Sequence, residues 1–496
     1  MTLPIIKRAQ AQQQRPAIID AQGEYSYAQL LGAVQLIAAS LLGDRRDLQE
    51  ARIAFMVPPG FDYVAAQWGI WLAGGIAVPL CISHPLPEVE YVTEDSGAEI
   101  IIAHPVFQEK LQGLAERKRI HFVLTTEALQ AEPVELPDIS EDRRSMILYT
   151  SGTTSRPKGV VNTHRNITSQ ITTLIEAWGW MAEDRILHVL PLHHTHGIIN
   201  ALLCPLWAGA VCEMLPQFDA GVVWERFMRG NITVFMAVPT VYIKLIEFWE
   251  NAAPEEQKKM SQACAKMRLM VSGSAALPVS VFEKWKAISG HALLERYGMT
   301  EIGMAISNPL HGERRPGYIG FPLPRVQIRL MDESGSEVKD EGAPGEIQVK
   351  GPNVFLEYWR RPEATQEAFV EDWFRSGDMA VVENGYYRIL GRSSVDIIKT
   401  GGYKVSALEI EEILRGHPCI KECAVVGVED AEWGERVCAA ITLQNNAVLD
   451  LEELRRWAKE KMAVYKIPSR LAAVEELPRN ARGKVTKPEV KVLFQE

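Results

Sequence analysis

Tyr149-Thr150-Ser151-Gly152-Thr153-Thr154-Ser155-Arg156-Pro157-Lys158-Gly159 is the stretch around which a fold for this chain has to be built. The apolar residues Met146-Ile147-Leu148-Tyr149 lead into it as a strand, and Val160-Val161-Asn162-Thr163 leaves it as a second extended piece rather than as a helix. Between the two lie hydroxyls and bare backbone N–H groups, which can close on several anionic oxygens, and Lys158 adds a point charge. Gly152 and Gly159 permit backbone shapes that a side chain would forbid. The Walker pattern needs Gly before Lys and Ser or Thr after it, whereas here Pro157 precedes Lys158 and Gly159 follows. The segment therefore reads as a phosphate-holding loop of another type.

Composition narrows the setting. A chain of 496 residues exceeds one ordinary core, so two or more domains are expected. A net charge of −10 argues against nucleic-acid binding, which needs a basic face, but leaves room for a small anion at a local positive site. Seven cysteines are scattered singly, without Cys-x-x-Cys and without His/Cys spacing suited to zinc. That points to a reducing compartment, expected to be the cytoplasm. Met1 to Arg8 lacks an apolar signal core and reads as the start of a helix. Tyr63 to Ile82 is long enough to span a bilayer. Gln67, Gly74-Gly75 and Pro79 interrupt it, so a buried helix followed by a short strand fits better and no membrane span is expected.

Strand and helix alternate up to about Ala103: Ala51–Val57 as strand, Asp62–Leu72 as helix, Ile76–Pro79 and Ile100–Ile102 as strands. Such alternation implies α/β layers on a mostly parallel sheet. After the loop the pattern resumes with helix Asn166–Trp178, strand Arg185–Leu190, helix Gly197–Ala208 and strand Val211–Leu215. Strands at 233–238 and 269–272 follow. From Gln327 short alternating strands (Gln327–Met331, Gly345–Lys350) read as antiparallel β, a small barrel in outline. A final α+β unit follows, with helix Ala407–Arg415, strands Cys423–Val428 and Val437–Leu443, and helix Leu451–Met462. The expected architecture is thus α/β: a large multi-layer N-terminal domain, α/β subdomains plus a small β-barrel, over residues 1–391, and a smaller mobile α+β lid over 392–496.

Four further clusters carry chemistry. Arg296-Tyr297-Gly298-Met299-Thr300-Glu301 offers a carboxylate of the kind Mg²⁺ takes alongside substrate oxygens, although a Thr-Glu pair alone is more often a helix start. Arg375-Ser376-Gly377-Asp378 offers a carboxylate able to accept from a ribose diol, although alone it reads as a turn. Gly391-Arg392 with Lys399-Thr400-Gly401-Gly402-Tyr403-Lys404, and Pro478 to Val485, complete the series.

In this order the clusters resemble the adenylate-forming superfamily, which includes acyl-CoA synthetases, adenylation domains of peptide synthetases, and luciferases; the likeness covers essentially the whole chain. It implies two half-reactions. A carboxylate attacks the α-phosphorus of ATP to give an acyl-AMP and pyrophosphate, and a thiol, usually of coenzyme A, then displaces AMP. The same resemblance assigns Thr150, Ser151, Gly152, Thr153, Thr154 and Lys158 to the phosphates. Thr300 and Glu301 go to the α-phosphate and Mg²⁺, with Thr150 beside the metal. Ser274 and Tyr297 go to the nucleotide, and Asp378 and Arg392 to the ribose. Lys484 is similar to the family's adenylation lysine, carried on the lid, and Lys399, Gly401, Gly402 and Tyr403 form the lid face presented for thioester formation. His194 and Ser272 line the acyl pocket. A zinc cluster of His193, His194 and His196 is the competing reading of those histidines.

Two departures stand out: Ser155 replaces the family's usual Gly, and one extra residue between Arg392 and Lys399 leaves the hinge open among Ser394, Val395 and Asp396. Arg296 bears on the acid. A guanidinium beside a pocket for fatty tails is costly, but it suits a second carboxylate, which its planar fork can pair. A structural ion pair, for example to Glu295, is the bland alternative. Residues 190–202, 271–278 and 392–404 are similar to the malonyl-CoA synthetase subfamily, which implies malonate, with methylmalonate close behind. Arg268 and Arg315 are further cations that could assist Arg296, and the sequence leaves open which of them points inward. The rival readings are a fatty or aryl acyl-CoA synthetase, an amino-acid adenylation domain loading a carrier protein, and a non-enzymatic nucleotide-binding scaffold.

Overall fold

The computed structural model describes residues 3–150, 156–430, 432–444, 447–479 and 485–495. Among these, four sheets form, of nine, seven, five and five strands. The seven-stranded sheet runs in the order Glu357–Tyr358, Gly159–Thr163, Arg144–Tyr149, Ile76–Pro79, Arg52–Met56, Ile100–Ala103, His121–Leu124. It is parallel from Arg144–Tyr149 onward and antiparallel at the edge that carries the phosphate loop. In the nine-stranded sheet the central strands, from Pro16–Ile19 to Leu294–Met299, are parallel, with antiparallel strands at both edges.

The continuous apolar strands explain the layering, because a strand buried on both faces needs no polar alternation. Ile53, Phe55, Ile100 and Ile102 enter one core, while Ala54, Met56, Ile101 and Ala103 enter another on the opposite face. The first core is shared with Ile186, Met236, Val271 and Leu294 of the nine-stranded sheet, whose other face buries Leu187, Phe235 and Met270 separately. Helices Tyr27–Leu42 and Phe61–Leu72 supply side chains to the shared core. The first is started by a capping box in which Ser26 and Gln29 exchange hydrogen bonds. The two pack closely at Gly69, where an added Cβ would lie 2.7 Å from Ile37 Cγ2. The stretch from Tyr63 to Ile82 is thus a buried helix and the strand Ile76–Pro79. Among the described residues no helix is long and apolar enough to cross a membrane.

One element differs from expectation. The helix expected over Gly197–Ala208 is a π-helical turn, His196–Leu203, followed by a short α-helix, Cys204–Ala208. Pro205 has no N–H to donate backward, and ahead of it the Cys204 N–H reaches Ile199 O, five residues back.

Strands Gln327–Met331, Gly345–Lys350, Phe369–Val370, Trp373–Glu383 and Tyr386–Arg392 make a five-stranded antiparallel sheet. The last sheet begins at Ile397–Thr400 and contains the long hairpin Ile420–Asp430 and Gly434–Leu443. Its two faces fill cores of their own, Ile410, Val425 and Ala439 on one side, Val426, Cys438 and Val490 on the other.

Candidate active site

The candidate phosphate loop joins two antiparallel strands, Arg144–Tyr149 and Gly159–Thr163, in which Tyr149 faces Gly159. Its mouth is closed by the Thr150 N–H donating to Lys158 O at 3.0 Å. Ser151, Gly152, Thr153, Thr154 and Ser155 lie outside the described residues, as does Lys484. The flanks are held firmly: Tyr91 OH donates to Pro157 O at 2.7 Å, and an added Cβ on Gly159 would lie 2.7 Å from Ile147 Cγ2. The Lys158 ammonium sits 4.9 Å from the centre of the Tyr358 ring, and Tyr358 OH donates to Glu301 Oε1 at 2.9 Å. Lys158, Tyr358 and Glu301 therefore form one chain of contacts. Burial pushes the Glu301 carboxyl above its ordinary range, and the Tyr358 hydrogen bond opposes that shift. Thr300 and Glu301 lie in the turn of a hairpin between Leu294–Met299 and Gly303–Ser307, not at a helix start.

Asp378 and Arg392 face each other across neighbouring antiparallel strands. Arg392 Nε donates to Asp378 Oδ1 at 3.0 Å, and Tyr297 OH donates to Oδ2 at 2.7 Å. Each carboxylate oxygen thus retains acceptor capacity for a diol while its orientation is fixed. Asp378→Asn should raise the KM for ATP about ten- to a hundredfold, the cost of weakening a charge-assisted hydrogen bond, with the KM for the acid little changed. Steady-state kinetics with each substrate varied in turn checks this.

Arg296 occupies a different environment. It is 3% exposed, and its guanidinium lies against Gly273, where an added Cβ would fall 2.4 Å from Arg296 Cζ. Arg296 Nη2 donates to Ser274 Oγ at 3.4 Å, and Ser274 Oγ lies 3.2 Å from His196 Nδ1. Ser274 adopts a left-handed backbone, φ 71°, that aims its hydroxyl into this chain. Arg296 Nε, His196 Nε2 and Ser272 Oγ are buried without hydrogen-bond partners. Among the described residues no carboxylate pairs with Arg296. Glu295 is the neighbour on its strand, but successive side chains point to opposite faces, and Glu295 Oε1 accepts from the Leu277 N–H at 3.0 Å. Burial pulls the Arg296 pKa down to about 9, which leaves it charged at neutral pH, and pushes the His196 imidazole well below its usual value, which leaves it neutral. The site is a buried cation with neutral hydrogen-bonding neighbours.

Burial also raises the Glu295 carboxyl from 4.5 to about 8. Between these values the folded chain binds more protons than the unfolded one, so this group makes stability fall as pH rises. Glu295→Gln keeps an acceptor for Leu277 and should flatten that part of the decline, read from urea midpoints between about pH 4.5 and 8. An unchanged slope would contradict the assignment.

The AMP-binding enzyme family model matches residues 5–359, and the AMP-binding enzyme C-terminal domain model matches residues 409–484. The chain belongs to the AMP-binding enzyme family. It is 46% identical to the mitochondrial malonate–CoA ligase of Xenopus laevis, over 99% of this chain and 92% of that protein. It is likewise 46% identical to the corresponding protein of Homo sapiens, over 98% and 91%. The structure of ATP-bound MatB from Rhodopseudomonas palustris superposes with a TM-score of 0.92 at 34% identity, covering 100% of this chain and 99% of that one.

In this AMP-binding enzyme the other candidate arginines are committed elsewhere. Arg268 donates to both oxygens of Asp184, at 2.9 and 2.7 Å, and to Trp178 O. Arg315 pairs with Glu313 at 3.0 Å and lies 4.1 Å from the Tyr386 ring centre. The three histidines also part company: His196 joins Ser274, whereas His193 lies against His194, ring centres 4.0 Å apart and planes tilted by 47°, and faces Cys81 and His84. The fold thus brings His193 against Cys81 and His84, which stand three residues apart in the chain.

On the last sheet, Lys399 lies in a hairpin strand and Gly401-Gly402 form the two-residue turn before Tyr403, both with positive φ, 56° and 81°. An added Cβ on Gly402 would meet nothing within 4 Å, and Tyr403 stacks on Tyr465 at 4.3 Å. Of the three hinge candidates, Asp396 is pinned: its carboxylate accepts from the Arg392 N–H at 3.0 Å and pairs with Lys487 at 2.7 Å. The polar chain through His196 and the Tyr358–Glu301 contact were missed in the sequence. The histidine stood in a run of three, and Tyr358 is remote from every motif.

Proposed function

We propose that this enzyme is an acid–CoA ligase that converts malonate, ATP and CoA to malonyl-CoA, AMP and pyrophosphate. The observation that carries the acid is Arg296: a buried guanidinium with no carboxylate partner among the described residues, beside Ser274 and neutral His196. Such a charge is stable only when an anion completes it, and a dicarboxylate supplies one. Its far carboxylate pairs with Arg296 while its near one is activated. Ser272 and His194 line the acyl pocket and Tyr297 serves the nucleotide side, while Ser274, expected on the nucleotide, serves the acid instead because its hydroxyl accepts from Arg296.

Residues Thr150 to Lys158 hold the β- and γ-phosphates. Asp378 and Arg392 hold the ribose diol, and Thr300 orients the α-phosphate. Lys484 stabilises the charge that grows on the bridging oxygens as two anions meet. Glu301 fits Mg²⁺: it is a single hard carboxylate, buried, already oriented by Tyr358, and placed beside the phosphate-loop lysine. Thr150, at the loop mouth beside Lys158, would complete the metal's surroundings. Bound there with the phosphates, Mg²⁺ would neutralise charge on the departing pyrophosphate. In the second half-reaction the CoA thiolate attacks the acyl carbonyl and AMP leaves with its oxygen. Gly401 and Gly402, flanked by Lys399 and Tyr403, then give the pantetheine arm a face without side chains. We place the domain boundary at 391–394, so that residues 392–496 turn as a lid between the two steps. All seven cysteines are unpaired, in keeping with a reducing compartment such as the cytoplasm.

The test is AMP release with malonate, methylmalonate, acetate, octanoate and benzoate, each with and without CoA. Malonate, or malonate with methylmalonate, should be strongly preferred and CoA required for turnover. Activity on octanoate without activity on malonate would overturn the substrate. Pyrophosphate exchange driven by an amino acid and indifferent to CoA would indicate a carrier-loading domain instead.

A further inference from the structure

The turn that leaves strand Ile76–Pro79 carries Cys81 and His84, and His193 from the loop before the π-helical segment lies against them. One donor atom from each, the Cys81 sulfur and a ring nitrogen of each histidine, falls within 4.8 Å of the other two. We infer that Cys81, His84 and His193 form a site for a divalent transition metal of the Zn²⁺ class, with three protein donors and a fourth position open.

Four features support it independently of the ATP and malonate sites. Cys81-Ile82-Ser83-His84 has the short spacing by which two ligands on one turn chelate a metal. The turn is held in shape by the His84 N–H donating to Cys81 O at 3.2 Å and by Lys110 Nζ donating to His84 O at 2.6 Å. His84 Nδ1 pairs with Glu88 Oε2 at 3.1 Å, the outer carboxylate that orients a ligating imidazole and directs its other nitrogen to the metal. His193 Nε2 is buried without a hydrogen-bond partner. One thiolate with two imidazoles selects Zn²⁺, Co²⁺ or Cu over Mg²⁺ or Ca²⁺. Because the His193 ring lies against that of His194, a metal here would tie the Cys81 turn to the wall of the acyl pocket, a consequence that rests on the substrate reading above.

The test uses the full chain, stripped with a chelator and titrated with Co²⁺ in the absence of ATP and malonate. A single Co²⁺ should bind, giving tetrahedral visible bands and a near-ultraviolet thiolate charge-transfer band, and Zn²⁺ should displace it. Cys81→Ser should lose the charge-transfer band. Glu88→Gln, a change at a half-exposed helix position, should weaken binding about ten- to a hundredfold with the fold intact. No Co²⁺ binding by the unaltered chain, a charge-transfer band that survives Cys81→Ser, or unchanged affinity in Glu88→Gln would each overturn the site. These readouts are indifferent to which acid the enzyme activates.

Discussion

Arg296→Met should lower kcat/KM for malonate by roughly 30- to several-thousand-fold while raising the melting temperature of the unliganded protein. The first effect follows from removing one partner of a buried, hydrogen-bonded charge pair, which costs about 2–5 kcal/mol at about 1.4 kcal/mol per tenfold. The second follows from the state of the empty pocket. Arg296 is 3% exposed and its Nε has no partner, so its desolvation is uncompensated until the acid arrives. Methionine fills similar volume without charge. Activity on acetate, which has no far carboxylate, should change little, so malonate selectivity collapses. For the same reason saturating malonate should stabilise the unaltered enzyme, by about 2.7 kcal/mol at a hundred times its Kd, and should not stabilise the variant. Were Arg296 a structural residue, the variant would melt earlier and both acids would suffer alike. Calorimetry with and without malonate, beside AMP-release kinetics on both acids, separates the outcomes.

Lys484→Ala should abolish the first half-reaction and spare the second. Loss of one positioned charge at the developing anion is worth on the order of 10²–10³ in rate. Thioester formation from supplied malonyl-AMP and CoA needs no such cation, because AMP is already bonded to the acyl group. Single-turnover measurements of each half-reaction check the split. Equal loss in both would refute a lid lysine that acts at one stage only.

The sequence reveals most where chemistry is local. The phosphate loop was readable because a strand, a run of hydroxyls and glycines, and a second strand are contiguous, and the hairpin register then places Thr150 against Lys158. Asp378 and Arg392 were readable as separate motifs; their direct pairing depends on antiparallel register, which is set by the turn between their strands. Arg296 was readable because it immediately precedes the Tyr297 to Glu301 motif, where a guanidinium is costly unless the acid brings a second carboxylate. The partner of Arg268 was hidden for the converse reason: Asp184 sits many residues earlier and meets it only through the strand order of the large sheet. Cys81 and His193 are hidden in the same way, since they meet only once the fold brings distant parts of the chain together. The π-helical segment at His196–Leu203 lay beyond periodicity, because all eight of its residues are buried and the run carries no polar face to betray its pitch.

The account stands or falls on where the far end of the acid lies. A crystal structure of the enzyme with a non-hydrolysable malonyl-adenylate would show it directly. The prediction is that the distal carboxylate lies within hydrogen-bonding distance of the Arg296 guanidinium and Ser274 Oγ, with the ribose hydroxyls on Asp378. A distal carboxylate in solvent or held by some other cation, with Arg296 still unpaired, would contradict it.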